Sequence, residues 1–94
     1  MPYGLFIVKV EDYKKWKAAF DKHAATRKTK GSKGGEIFRS ADDPNQVVVL
    51  LEWDTLQKMR RFAQSEDLRE KMTASGVIGQ PEIHFLKVAG TPSA

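Results

Sequence analysis

Two histidines are the side chains of this sequence best suited to moving a proton near neutral pH. His84 interrupts residues 82–88 (EIHFLKV), which are otherwise mostly apolar, and an imidazole in such a segment could act as a general base. A hydrogen-bonded histidine in the core or at an interface is the commoner outcome for such a position. His23 stands near a basic cluster on a predicted helix, and we expect it to be exposed.

Aromatic and cationic side chains could hold a flat substrate. Trp16 and Phe20 share one stripe of a predicted helix and Trp53 ends a predicted strand, so Trp16 and Trp53 could enclose a planar ring. Arg39 could bind a carboxylate or phenolate with its planar fork of donors. The alternatives are that the aromatic residues simply form core and that Arg39 pairs with Glu52 across a hairpin.

The sequence predicts no metal site and no phosphate-binding loop. It contains no cysteine, which excludes disulfides, thiolate ligands and thiol nucleophiles, and its two histidines have no carboxylates at ligand spacing. Residues 31–35 (GSKGG) lack the order GxxxxGK[ST] and follow a helix instead of a strand. We therefore predict an ordinary loop there.

The net charge of +4 comes partly from one basic cluster. Its members fall within a dozen residues: Lys22, Arg27, Lys28, Lys30 and Lys33. One common class of RNA-binding domain carries aromatic residues on a central strand of its sheet. The stretch predicted to form the central strand here, residues 47–51 (VVVLL), is aliphatic. We expect weak attraction of anions by this cluster and no nucleic-acid binding.

Two strands must position these residues. Residues 47–51 form an unbroken apolar run of strand length, and residues 3–10 (YGLFIVKV) are apolar at both parities. Both segments therefore predict strands that are buried on both faces. Residues 36–40 (EIFRS), followed by the turn ADDPN, predict a hairpin with the central strand, and residues 82–88 predict the last strand.

Amphipathic patterns predict two helices between the strands. The first begins after Glu11 and Asp12 and runs to about Arg27 or Lys28, with an aromatic stripe. The second begins with a capping box, in which Asp54 is the N-cap and Gln57 is the third residue of the helix. It breaks near residues 65–67 (SED), and two glycines and a proline at residues 76–81 end it.

The element order β-α-β-β-α-β predicts an α+β, ferredoxin-like domain: a four-stranded antiparallel sheet with both helices on one face. Residues 1–88 form this single domain and residues 89–94 a loose C-terminal tail. No segment remains to cover the second face of the doubly apolar strands. We therefore predict a homodimer through the helix-free sheet face. The alternative is a second face that is merely more apolar than usual.

The first residues, MPYG, carry neither the charged nor the apolar region of a secretory signal, and no apolar run approaches the ~20 residues of a membrane span. We expect a cytoplasmic protein that does not bind membranes.

The chain resembles a known family over nearly its whole length. The resemblance is carried by the aromatic helix after the first strand, a hairpin ending in LEWD at residues 51–54, the segment FAQSEDL at residues 62–68, and EIHF at residues 82–85. These features are similar to those of the dimeric α/β-barrel superfamily, and in particular to its small antibiotic biosynthesis monooxygenase-like proteins.

This resemblance implies a dimeric α/β barrel with a pocket between sheet and helices in each subunit. It further implies a cofactor-independent monooxygenase that acts on a small planar aromatic or quinol-type substrate. His84 would then be the base, and Trp16, Trp53 and Arg39, with Phe20 beside them, would position the substrate. The alternative is a non-catalytic, small-ligand-binding or stress-associated homodimer of the same fold.

Overall fold

Two doubly apolar strands form the centre of the sheet. The computed structural model describes residues 1–94, and in it β1 (Tyr3–Val10) pairs antiparallel with β3 (Gln46–Trp53). The edges are β2 (Ser32–Arg39), which pairs with β3, and β4 (Val77–Leu86), which pairs with β1. The order β2-β3-β1-β4, antiparallel throughout, confirms the predicted ferredoxin-like sheet.

Each of the two helical regions is a pair of short helices, as predicted for the second region but not for the first. The chain between β1 and β2 forms α1 (Tyr13–Lys22) and α2 (Ala24–Lys30), and the chain between β3 and β4 forms α3 (Leu56–Ala63) and α4 (Glu66–Ala74). The four helices lie against one face of the sheet, where they bury one parity of each central strand.

The break between α1 and α2 occurs at His23 and was not predicted. No glycine or proline marks it. The carbonyl of Phe20 accepts a hydrogen bond from the His23 N–H at 3.3 Å and another from Nη1 of Arg27 at 2.7 Å. The Arg27 side chain thus stabilises a carbonyl at the end of α1, where backbone partners run out. Helix α2 then ends in Gly31, whose φ of 117° is the left-handed conformation typical of a glycine cap.

The break between α3 and α4 confirms the predicted one. The Ser65 hydroxyl caps α4 by accepting from the N–H of Leu68 at 3.2 Å. The predicted capping box at the start of α3 is wrong by one residue: Thr55 is the N-cap and accepts from the N–H of Lys58 at 3.1 Å. Asp54 instead accepts a hydrogen bond from the Lys58 ammonium at 2.7 Å.

Strand β2 begins at Ser32, so the loop predicted at residues 31–35 is wrong. The pairing of β2 with β3 shifts between Ser32 and Gly34, which marks a bulge, and Gly34 has a φ of 92° there. A Cβ on Gly35 would lie 1.8 Å from the backbone oxygen of Leu50. The glycines therefore permit a close backbone approach in a strand and do not mark a loop.

Strand β4 also begins earlier than predicted, at Val77 instead of Glu82, and ends at Leu86 instead of Val88. Its pairing with β1 shifts between Ile7 and Lys9, opposite residues 79–81 (GQP). Gly79 has a φ of 71°, and the proline that follows lacks an N–H, so this segment suits a bulge within the strand. Residues 87–94 form no helix or strand.

The two faces of the sheet differ in burial. On the helix-covered face, one parity of β1 and β3 is almost completely buried: Phe6, Val8, Val10, Val47, Val49, Leu51 and Trp53. On the other face, which we call the open face, the alternate residues are only half-buried: Leu5, Ile7, Val48 and Leu50. Phe38 and Leu86 extend the open face and are 46% and 39% exposed. No helix is long and apolar enough to span a membrane.

Candidate active site

An apolar cavity of about 80 Å³ lies between the helices and the covered face of the sheet. Its floor comes from β1 and β3: Phe6, Val8, Val49 and Leu51. Its walls come from the helices: Trp16, Ala19 and Phe20 on α1, and Phe62, Leu68 and Met72 on α3 and α4. The aromatic stripe of the first helix and the apolar side of the last two therefore face each other across one space.

Two of the three aromatic residues of α1, Trp16 and Phe20, line the cavity and stack on each other. The rings of Trp16 and Phe20 are stacked, with centroids 5.0 Å apart and planes inclined by 25°. Tyr13 extends the row, its ring centroid 5.9 Å from that of Trp16. The structure thus brings together two of the predicted substrate-binding residues, Trp16 and Phe20, in the lining of one cavity.

One edge of the cavity is polar. It is lined by His23, Thr26, Arg27, Lys71 and Ser75. The Lys71 ammonium contacts the carboxylate of Asp67 at 2.8 Å. This hydrogen bond holds the pKa of Asp67 below its usual value, and the nearby charges of Lys71 and Lys30 act in the same direction. His23 is half-buried, so the prediction that it would be exposed does not describe its position.

Arg27 is the most unusual polar group of the site. Its guanidinium lies 3.6 Å from the centroid of the Phe20 ring, and its Nη1 donates to the backbone oxygen of Phe20. Burial lowers the pKa of Arg27, and the negative charge of Asp21 opposes that shift only in part. No carboxylate lies within ion-pair distance of the guanidinium, although burying an unpaired charge is unfavourable.

A second cavity of about 570 Å³ lies beside the first, between α2 and β2. We call it the basic cavity, because Arg27, Lys28 and Lys33 line it against a single carboxylate, Glu36. Phe20, Arg27 and Leu51 line both cavities. The stacked Phe20 and Arg27 therefore stand where the two spaces meet.

His84 lies away from both cavities. It pairs with Leu5 of β1 and faces the open side of the sheet, so the position between sheet and helices implied by the resemblance is not observed. Its Nε2 lies 2.8 Å from Oε2 of Glu82, two residues earlier on the same face, and 48% of its side chain is exposed. A catalytic role for His84 stays a prediction that its position does not support.

Two other predicted site residues, Arg39 and Trp53, also lie outside the cavities. Arg39 covers the ring of Tyr13 at 4.0 Å and donates from Nε to the carbonyl of Pro44. It pairs in register with Val47 on the helix-covered face, whereas Glu52 faces the open side, so the alternative of a salt bridge between Arg39 and Glu52 is wrong.

Trp53 is completely buried behind the wall of the apolar cavity. Its ring lies 4.9 Å from that of Phe62, which does line the cavity. The indole Nε1 is buried without a hydrogen-bond partner. Trp53 therefore supports the wall of the cavity from behind.

The sequence did contain a signal for the polar edge. His23 and Arg27 follow Trp16 by seven and eleven residues, and Lys71 and Ser75 follow Leu68 by three and seven. These spacings place the polar residues on the same helical faces as the apolar ones. No group of three or more His, Asp or Glu side chains lies close enough together to hold a metal ion.

One protein-family model matches most of the chain. The family model described as antibiotic biosynthesis monooxygenase matches residues 5–73. No curated protein sequence matches the chain closely enough to count as a relative.

Solved structures share the fold at low sequence identity. SnoaB from Streptomyces nogalater, a cofactor-independent oxygenase, is 16% identical over 99% of this chain and 97% of its own, with a TM-score of 0.77. A Bordetella bronchiseptica protein assigned to the antibiotic biosynthesis monooxygenases is 18% identical over 94% and 96%, with a TM-score of 0.74. A conserved protein from Methanosarcina mazei is 12% identical over 92% and 90%, with a TM-score of 0.69. At these identities the likeness shows the fold alone.

Proposed function

Because this chain belongs to the antibiotic biosynthesis monooxygenase family, we propose that it is a cofactor-independent oxygenase that oxidises a small hydroquinone-type aromatic in the apolar cavity. The observation that carries this proposal is the cavity itself, which has aromatic residues in its wall, an apolar floor and polar groups along one edge only. Such a site binds a flat apolar ring and still offers a base and cations to its hydroxyl groups.

The volume of the cavity limits the size of the ring. An apolar cavity of about 150 Å³ holds one benzene molecule, and the cavity here has about 80 Å³. A single ring therefore requires a small outward displacement of the helices, and a fused polycyclic substrate does not fit. The breaks at His23 and Ser65 divide the helices that form the walls, so these are the points at which we expect the walls to adjust.

The proposed reaction needs no electron donor besides the substrate. One oxygen atom of O₂ forms a new C–O bond on the ring, and the other leaves as water with two hydrogens from the substrate. A hydroquinone thereby becomes a hydroxyquinone and supplies all the electrons. A phenolate reacts more readily than a phenol, so the site must remove a proton and stabilise the anion.

We assign those two tasks to residues of the polar edge. His23 is the titratable group at the cavity suited to accepting a proton near neutral pH. The Lys71 ammonium, held at the cavity by Asp67, supplies a positive charge for the phenolate oxygen. The surrounding apolar side chains keep the site poor in water, which strengthens both interactions.

The proposal includes a homodimer formed through the open face. The half-buried residues Leu5, Ile7, Val48 and Leu50, with the exposed Phe38, make an apolar surface on three of the four strands. No segment of the chain covers this surface, and an identical face related by two-fold symmetry is complementary to it in chemistry. His84 and Glu82 would then lie at the subunit interface, one of the alternatives open for His84 from the sequence.

Oxygen uptake with hydroquinone, measured on a cavity-filling variant, tests the catalytic proposal. Ala19 lines the cavity, whereas its neighbour Ala18 is exposed on the same helix. Ala19→Leu should lower uptake more than tenfold because the added atoms occupy the space of the ring, and Ala18→Leu should leave it unchanged. Circular dichroism should show both variants folded.

Equal uptake by the two variants would contradict the assignment of the cavity. Hydroquinone binding that depends on Ala19, without any oxygen uptake, would instead favour the non-catalytic ligand-binding dimer. An absence of both binding and uptake would remove a hydroquinone as the substrate class.

A further inference from the structure

We infer that the substrate carries an acidic substituent, a carboxylate, which lies in the basic cavity and is held by Arg27, Lys28 and Lys33 while the ring occupies the apolar cavity. This inference rests on the proposed function, since it specifies the substrate class of the same site. It assigns a specificity role to Arg27, which stands at the junction of the two cavities.

The Arg27 guanidinium retains free hydrogen-bond donors at the junction of the two cavities. It is half-buried against the Phe20 ring, and one of its five N–H donors is used by the Phe20 carbonyl. Asp21 is near enough to influence Arg27 but does not form an ion pair with it, because the Asp21 carboxylate is bound by Lys17 at 2.6 Å. Free donors on a partly desolvated cation are the arrangement that binds a carboxylate bidentately.

Positive charge is in excess around the basic cavity. Three cations line it against the one carboxylate of Glu36, which leaves two positive charges in excess. The charge of Lys33 also acts on Asp54, outside the cavity, but the Asp54 carboxylate is already bound by Lys58. Lys28 makes no ion pair in the structure. The cavity therefore retains a positive potential that favours an anion.

The sizes and positions of the two cavities suit a ring that carries an acidic substituent. The apolar cavity has room for no more than one ring, whereas the basic cavity is about 570 Å³ and shares Phe20, Arg27 and Leu51 with it. Gly34 and Gly35 form part of the wall of the basic cavity, so no side chain from these positions fills it. A ring with an acidic substituent can therefore span the junction, with the ring on the Trp16 side and the acid on the Lys28 side.

Two probes that differ by one carboxylate test this inference: hydroquinone and 2,5-dihydroxybenzoate. Isothermal titration under anaerobic conditions, where neither is turned over, gives the ratio of their dissociation constants. The wild-type protein should bind the dihydroxybenzoate roughly tenfold more tightly or better, the size expected for a charge-assisted hydrogen bond. Raising the salt concentration should reduce this preference.

Substitutions show which residues cause the preference for 2,5-dihydroxybenzoate over hydroquinone. Arg27→Gln should reduce the ratio to about twofold, and Arg27→Lys, which keeps the charge but loses the fork, should give an intermediate ratio. The double variant Lys28→Gln, Lys33→Gln should also reduce it. Arg61→Gln is the matched control, because Arg61 is exposed on α3 and lines neither cavity, and it should leave the ratio unchanged. Thermal unfolding of each variant shows whether it is folded at the titration temperature.

The outcomes separate this inference from the proposed function. Equal affinity of the wild-type protein for the two probes would overturn the inference, and so would a preference that Arg27→Gln leaves intact; oxygen uptake with hydroquinone would still support the oxygenase. A preference that depends on Arg27 without oxygen uptake from either probe would support the acidic ligand and contradict the oxygenase. Binding of neither probe would contradict both.

Discussion

The two faces of the same sheet have similar sequences and different environments. On β3, Val47, Val49 and Leu51 lie beneath the helices and are at most 5% exposed, whereas Val48 and Leu50 between them are only half-buried on the open face. Both sets are aliphatic, so the composition of a strand does not indicate which side holds a site. The difference arises from the helices, which bring polar groups to one face and leave the other without cover.

One histidine lies on each side of the sheet. His23 lies at the break between α1 and α2 and lines the apolar cavity, and His84 lies on the open face beside Glu82. The histidine within an apolar strand was the more suggestive of the two in the sequence, yet it is the one outside the cavity. We therefore associate the helix side with chemistry and the open side with assembly.

The largest expected effect comes from the covered face. Trp53→Ala should lower the free energy of unfolding by roughly 3 to 5 kcal/mol, because it removes a completely buried ring behind the cavity wall. Chemical denaturation at two protein concentrations measures this loss, which should be similar at both. Leu50→Ala on the open face should instead have an effect that depends on protein concentration, as expected for a residue of a subunit interface. A Trp53→Ala variant as stable as Trp53→Phe would contradict this view of the core.

The open face should respond through assembly. Val48→Lys would place an unpaired charge in the proposed interface, at a cost of roughly 3 kcal/mol or more, and should weaken dimerisation about 100-fold. Light scattering over a dilution series measures the change, and circular dichroism should show a folded subunit. Val48→Thr, of similar shape, is the control and should weaken the dimer much less. A wild-type protein that is monomeric at micromolar concentration would contradict the interface.

Replacing each histidine in turn tests the difference between the two faces. His23→Gln should lower kcat for hydroquinone oxidation by about 100-fold, the lower range for loss of a general base. His84→Gln should change kcat less than threefold on the same scale, because its ring faces away from the cavity. The opposite result, a large loss from His84→Gln in a folded dimer, would restore the role that the family resemblance suggested.

The smallest effect is the acid dependence of stability. The Lys71 and Lys9 ammonium groups hold the pKa of Asp67 and Asp43 below their usual values, mainly through hydrogen bonds. Since the folded pKa is the lower one, each pair stabilises the fold above the unfolded pKa of about 4, and this contribution is lost as pH falls through the folded pKa. Both pairs lie at the surface, so the loss should be small and reduced by salt.

The same two pairs give a further contrast. Asp67→Asn should weaken the acid dependence and should also change the affinity for hydroquinone, because it releases Lys71 at the cavity edge. Asp43→Asn should weaken the acid dependence alone, since Lys9 lines neither cavity. Titrations of both variants between pH 3 and pH 7 compare them, and identical ligand affinities would argue against a role for Lys71.

The sheet could be predicted from the sequence because β1 and β3 are apolar at both parities, a pattern that a helix or loop rarely tolerates. The extents of β2 and β4 could not. Glycines at residues 34, 35 and 79 usually mark turns, but here they serve bulges and a close backbone approach, which depend on the neighbouring strand. The break at His23 depends likewise on a contact from Arg27 that no local pattern announces.

Only part of the candidate site could be predicted, because the rest depends on contacts between distant segments of the chain. Trp16 and Phe20 share a helical stripe, so their proximity follows from the period of the helix. The face on which His84 lies depends on its pairing with Leu5 of β1, and the sequence of β4 alone does not indicate which parity of the strand faces the helices. Arg27 and Lys71 come together only because α2 and α4 pack around the same cavity.

The most direct test of the division between the faces is an NMR titration of methyl-labelled protein with hydroquinone. Val48 and Val49 are adjacent in β3 but face opposite sides of the sheet, so their methyl signals report on the two faces separately. Shifts at Val49, Ala19 and Met72, with Val48 unchanged, are the result that the account predicts. Shifts centred on Val48 and Leu50, with Val49 unchanged, would place the ligand on the open face and contradict it.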